Sequence, residues 1–310
     1  MAAAATMQAS FVSDRLISFK KSTAGELFGL KTVKFSSEMG GLRRPSQRKN
    51  ITLASSQATE PLLQNTLKRA VAKRAVELVK PGMVIGLGTG STASLAIEEL
   101  GKLIQQGKLK DVVGVGTSYQ SRVLARQFGV KTVDLNDVIH IDIAFDGADE
   151  VDPSMNILKG GGAAHTMGKV IDTMAKKSVI LVDQSKVVFE LGQIFPVPVE
   201  VLPPAISPVL RQLVALGGVP EIRSALRKDG PVITDFGNMV VDVSFPEGIK
   251  DPAALEKRIK LIPGVVENGL VTGVASSVLV ATQDGDDITI VELDEFVKSL
   301  KSVKEAYSKA

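Results

Sequence analysis

The chain has 310 residues, enough for one large domain or two smaller ones, and no cysteine, which excludes disulfides, thiolate metal sites and cysteine nucleophiles. Only His140 and His165 are present, too few for most zinc sites, and no apolar run approaches the roughly 18 residues of a membrane span. The net charge of +3 is uneven: residues 1–50 carry nine Lys/Arg against three acids, so the rest is mildly acidic and lacks the electrostatic footprint of a nucleic-acid binder.

The leader opens "MAAAATMQAS", is rich in serine and ends in "GLRRPSQRKN". Acid-poor, hydroxyl-rich, basic composition describes an organellar transit peptide, against the plainer reading of a disordered cytosolic extension. Scarce arginine near the start favours a plastid over a mitochondrion, so residues 1–55 are expected to be a disordered targeting segment addressing the chloroplast stroma. Helical spacing begins near Leu62 in "LLQNTLKRAVAKRAVELV" and stops at Pro81-Gly82. "MVIGLGTGST" reads as a buried strand entering a glycine turn, with Ser91 and Thr92 placed to cap the helix "ASLAIEELGKLIQQG". Strand "DVVGVGTS", helix "YQSRVLARQFG" and the strands "KTVDL", "HIDIAFDGADEV" and "KSVILVDQS" follow. This alternation predicts an α/β fold, a Rossmann-like parallel sheet covered on both faces, formed by residues 60–196 and 268–310. From Pro196 the order becomes β-α-β-β-α-β, which predicts a smaller ferredoxin-like α+β domain over residues 197–267. "VASSVLVATQDG" then returns a strand to the first sheet, and "LDEFVKSLKSVKEAYS" reads as a solvated terminal helix.

In parallel α/β sheets ligands sit beyond the carboxyl ends of the strands, where every unusual cluster of this chain falls. "GLGTGST" lacks the third glycine and the distant acid of a dinucleotide fingerprint, and it lacks the lysine of a P-loop. What remains is a phosphate monoester held by backbone amides and the hydroxyls of Thr89, Ser91 and Thr92, against the plainer reading of a tight βα turn. "DGADEVDP" groups Asp146, Asp149, Glu150 and Asp152, which could chelate magnesium, move protons or form a solvated turn. In "LKGGGAAHTMGKV", Lys159 and three glycines at a helix start suit an oxyanion, with the lysine supplying positive charge so that no metal is required. Lys186 and Lys68 could balance phosphate charge, although either alone reads as a surface lysine, and His140 reads as structural. Gly168 is out of place in a helix interior, where glycine costs about 1 kcal/mol relative to alanine.

Together "GLGTGSTA", "DGADEVDP", "LKGGGAA", "DQSK" and "PVEVLP" resemble, in order and spacing, the ribose-5-phosphate isomerase A family over Leu62 to Gly285. The resemblance implies interconversion of ribose 5-phosphate and ribulose 5-phosphate through an enediolate, in the non-oxidative pentose phosphate pathway, without metal or other cofactor. It implies a pentose phosphate and a second copy of the chain as partners, with no nucleic acid and no membrane. By the same resemblance Thr89, Gly90, Ser91 and Thr92 hold substrate, with Lys68 and Lys186 at its phosphate. Asp146 and Asp149, flanking Gly147 and Ala148, engage sugar hydroxyls, Asp146 assisting ring opening, while Lys159 and the amides of Gly160, Gly161 and Gly162 stabilise the oxyanion. The family pattern has a glutamate base nine residues after the loop lysine, which is Gly168 here. Substitutes are His165 one turn earlier, Asp172 one turn later, or a second role for Asp146 or Asp149, and the alternative is a catalytically weak or inactive sugar-phosphate-binding protein.

Overall fold

Residues 56–285 and 287–300 of the computed structural model carry the description that follows; the expected transit segment, residues 1–55, lies outside the described residues. Helix α1 (Ser56–Val76) leads through β1 (Val84–Leu87), α2 (Ser91–Gln105), β2 (Val113–Gly116) and α3 (Tyr119–Gln127) to β3 (Lys131–Thr132). The chain then crosses back to β4 (Ile143–Gly147), makes a hairpin of β5 (Glu150–Val151) and β6 (Ile157–Leu158), and continues into α4 (His165–Met174) and β7 (Ser178–Asp183). β8 (Val197–Val201), α5 (Ile206–Ala215), β9 (Val219–Ile222), β10 (Met239–Ser244), α6 (Pro252–Lys260) and β11 (Val265–Asn268) come next. β12 (Leu270–Val271), β13 (Ser277–Asp284) and β14 (Asp287–Glu292) complete the strands, and residues 293–300 are helical.

Seven strands form the main sheet in the order β14-β13-β7-β4-β1-β2-β3, with every pair parallel except β13 and β14. Its central strands are near-continuous apolar runs because both faces are covered; all six residues of β7 are buried. On one face Leu67, Val71 and Ala75 of α1 and Ile97 and Leu100 of α2 pack over Ile85, Phe145 and Leu181. On the other, Ile171 of α4 packs with Val115, Ile141 and Ala144. β14 has no counterpart among the expected elements: "DITIVE" pairs with β13 through a hairpin closed at Asp284 and Asp287. The terminal helix departs from its expected solvated character, since Leu293 and Val297, four residues apart, are buried against the β13 face.

The second sheet, β11-β8-β10-β9, is antiparallel throughout and has the ferredoxin-like β-α-β-β-α-β order read from the sequence. Its own core gathers Val197, Val199, Val201, Val209, Leu213, Val241 and Ile259. A three-stranded ribbon, β12-β6-β5, joins a hairpin inserted between β4 and β7 to the strand that follows β11, and folds the loop after β6 back toward the end of β4. The main sheet reverses direction of growth between β1 and β4: β2 and β3 lie to one side of β1, and the rest to the other. That reversal opens a crevice at the carboxyl ends of β1 and β4.

Candidate functional site

The loop after β1 enters the crevice first. Gly90 is the N-cap of α2 with φ +105°, a conformation that favours glycine, and no side chain caps the helix. The capping expected of Ser91 and Thr92 is therefore not seen: they are the first helical residues, and the amides of the first turn are left for an anion. Thr89 reaches sideways instead, its hydroxyl bonding those of Thr117 (2.7 Å) and Ser118 (2.6 Å) at the end of β2. Lys68 from α1 and Lys186 from the turn after β7 line the same cleft of ≈ 140 Å³ as Thr89, Gly90, Ser91 and Thr92. The Lys186 ammonium lies 4.8 Å from the Phe195 ring centroid.

The acidic run after β4 divides by role. Asp146, Gly147, Ala148 and Asp149 line the cleft. Asp146 Oδ1 accepts the amide of Gly147 (2.8 Å), and Asp149 Oδ2 accepts that of Gly161 (2.8 Å). Glu150 and Asp152 are structural: Glu150 accepts the amides of Gly192, Ile194 and Phe195, and Asp152 closes the β5–β6 turn through the amides of Ser154 and Asn156. The ribbon pairing Glu150 with Leu158 is what returns the chain so that Lys159 and Gly160–Gly162 face Asp146 and Asp149.

Lys159 is 6% exposed, and its ammonium donates to Asp146 Oδ2 and, at 3.1 Å, to Asp172 Oδ2. Burial pulls the lysine pKa down, but the two carboxylates outweigh it, so the ammonium titrates above the ordinary lysine range and stays charged. Asp172, 2% exposed, has a carboxyl pushed up to about 6, burial outweighing the attraction of Lys159. Gly168 explains how both carboxylates reach one ammonium. A Cβ there would lie 2.7 Å from Lys159 Nζ and 3.1 Å from Asp146 Oδ2, so the helix passes close only because no side chain is present.

His165, the first residue of α4, lines the cleft and is 1% exposed. Burial draws its pKa down to about 4 despite the nearby Glu200 carboxylate, so the ring is neutral near pH 7. A base titrating in the ordinary imidazole range, the expectation for His165 as a substitute, is not what this environment makes. His140 stands apart from the cleft, half-exposed, with Nε2 3.2 Å from Asp142 Oδ1.

One contributor comes from the second sheet. Arg223, just past β9, donates from Nη1 to the carbonyls of Gly160 (3.0 Å) and Gly161 (3.1 Å), while Nε and Nη2 clamp Asp242 of β10. The glycine loop is thus fixed from both sides, Asp149 on an amide and Arg223 on the carbonyls. No local signal marks Arg223, because the contact joins residues 63 apart in sequence. Ala164, the N-cap of α4, also lines the cleft and carries no side-chain signal.

The sequence profile of the family described as ribose 5-phosphate isomerase A (phosphoriboisomerase A) matches residues 113–285. Ribose-5-phosphate isomerase A of Thermosynechococcus vestitus is 56% identical over 214 residues, covering 69% of this chain and 90% of that protein. That of Trichodesmium erythraeum is 53% identical over 218 residues, covering 70% and 92%. Among solved structures, ribose 5-phosphate isomerase A from Methanocaldococcus jannaschii is similar with a TM-score of 0.69 at 49% identity, over 74% of this chain and 99% of that one. A D-ribose-5-phosphate isomerase in complex with phospho-erythronic acid aligns with a TM-score of 0.70 at 43% identity, over 73% and 98%.

Proposed function

Because the chain belongs to the ribose-5-phosphate isomerase A family, we propose that its cleft interconverts ribose 5-phosphate and ribulose 5-phosphate through an enediolate. The observation that carries this reading is a buried, charged lysine sharing one cleft with the uncapped N-terminus of α2. The α2 amides, Lys68 and Lys186 take the phosphate, and Asp149 positions a sugar hydroxyl. When C2 loses its proton, charge develops on the carbonyl oxygen, and the buried Lys159 ammonium with the amides of Gly160 and Gly162 meets it, the Gly161 amide being held by Asp149.

The resemblance calls for a glutamate at position 168, where this chain has glycine. Asp146 Oδ2 lies 3.1 Å from where a side chain at 168 would begin, so a carboxylate is already at that place. Asp146 then takes the C2 proton and returns it to C1, in addition to assisting ring opening. Asp172 supplies the second negative charge that keeps Lys159 fixed from behind. Gly168 also favours the second reading, a sugar-phosphate-binding protein with little turnover.

Lys159→Met separates the two. The isomerase reading expects ketose formation by the unmodified chain and a loss of at least about 100-fold in kcat in the variant, as for removal of oxyanion stabilisation. Binding of ribose 5-phosphate with no ketose formed by the unmodified chain supports the binding protein instead. The acid-poor leader supports import into the chloroplast stroma, which a fluorescent fusion of residues 1–60 tests; diffuse cytosolic signal contradicts it. A homodimer is part of the same proposal, and light scattering at the mass of one chain would remove it.

A further inference from the structure

We propose that His165 hydrogen-bonds a hydroxyl of the bound sugar phosphate as a neutral imidazole, making it a specificity-determining residue of the cleft rather than its base. The identity of the ligand rests on the isomerase reading above. His165 is 1% exposed and lines the cleft, yet among the described residues neither Nδ1 nor Nε2 has a hydrogen-bond partner. Buried polar side chains are nearly always paired, and a pair of orphaned ring nitrogens costs stability that an apolar residue at this position would not.

The neighbours do not supply the missing partners. Lys159 is committed to Asp146 and Asp172. Glu200, the acid acting most strongly on the ring, is taken by Thr166, Thr234 (2.7 Å) and Asn238 (2.8 Å). Arg223 is spent on Asp242 and the glycine-loop carbonyls, and Glu267 on Lys169 and Lys260. The ring packs under the glycine loop, where a Cβ on Gly160 would lie 2.9 Å from Nδ1. Burial holds the ring neutral, with one donor and one acceptor nitrogen. A sugar hydroxyl, itself both donor and acceptor, can pair with whichever of the two nitrogens faces it, whereas a dianionic phosphate can only accept.

The test is calorimetry on the full chain with ribose 5-phosphate and, separately, inorganic phosphate, comparing His165→Leu and His165→Gln with the unmodified protein. The leucine variant is expected to melt higher, to bind ribose 5-phosphate about tenfold more weakly, and to bind inorganic phosphate unchanged; glutamine is expected to recover part of the sugar affinity. Unchanged affinity for ribose 5-phosphate in His165→Leu overturns the proposal. An unmodified chain that binds phosphate but not ribose 5-phosphate overturns instead the isomerase reading on which it rests. Imidazole ¹⁵N shifts of the unmodified protein decide the matter even if a variant fails to fold: ribose 5-phosphate must move the His165 signals, and stationary signals at saturation reject the contact.

Discussion

A side chain at position 168 would begin 2.7 Å from the Lys159 ammonium, so filling that position has to shift the ammonium within its seat between Asp146 and Asp172. The relief of about 1 kcal/mol that replacing a helical glycine ordinarily brings is offset by the poorer geometry of those charge-assisted contacts. Gly168→Ala is therefore expected to lower kcat about tenfold without a rise in Tm; a more stable variant with full turnover would show that Lys159 does not need both carboxylates. The titrating groups make a second residue-scale prediction. His165, with its pKa drawn from 6.5 down to about 4, binds fewer protons folded than unfolded between those values, so its contribution to stability falls as pH drops through that window. Asp172, with its pKa raised from 3.8 to about 6, has the opposite sign: its contribution falls as pH rises from 3.8 to about 6. His165→Leu removes the first and keeps the second. Its stability advantage over the unmodified chain should widen as pH is lowered from 6.5 to 4, measured by chemical denaturation; a pH-independent advantage contradicts the buried neutral ring. Lys159 and its glycines were legible because an oxyanion loop is a local pattern. The face on which Asp172 meets Lys159 was not, because helical spacing places a residue along the helix without saying what stands opposite.

Among the elements, the glycine loop shows how the second sheet serves the first. Arg223 spans from β9 and β10 to the carbonyls of Gly160 and Gly161, fixing the two peptides whose amides belong to Gly161, held by Asp149, and Gly162. Arg223→Ala leaves Asp242 without its bidentate partner and should cost about 2 kcal/mol of stability. It should also reduce kcat while leaving inorganic phosphate affinity intact, since the α2 N-terminus does not depend on it. Arg223→Lys should not restore kcat, because a single ammonium cannot reproduce the planar fork; full rescue by lysine would reduce the residue to a point charge. The same scale shows where reading by pattern stopped. The ferredoxin-like order was visible in alternating apolar runs, but β5, β6 and β12 are two-residue strands, too short to carry a period. "DITIVE" does alternate, and went unread because it was absorbed between a strand and a helix. Pattern also suggests a side-chain cap on α2 that is absent, since Ser91 and Thr92 have the chemistry of caps but lie inside the helix, after the Gly90 N-cap.

Over the whole molecule, the crevice exists because β1 is followed by strands on one side and then, after β3, by strands on the other. Four loops that are distant in sequence meet there: the one after β1, the acidic run after β4, the lysine–glycine loop after β6 and the turn carrying Lys186 after β7. Sequence order alone placed three of them at strand ends, and the parallel sheet brought them to one edge. That convergence is what the proposed proton transfer requires, a carboxylate lifting the C2 proton while Lys159 and the glycine amides hold the enediolate. The most direct test is to incubate the full chain with ribose 5-phosphate in D₂O and follow the sugar by NMR. Ribulose 5-phosphate is expected to accumulate toward equilibrium with solvent deuterium entering at C1, and Lys159→Met to suppress both. Ribose 5-phosphate that binds but is recovered unchanged and without deuterium would contradict it.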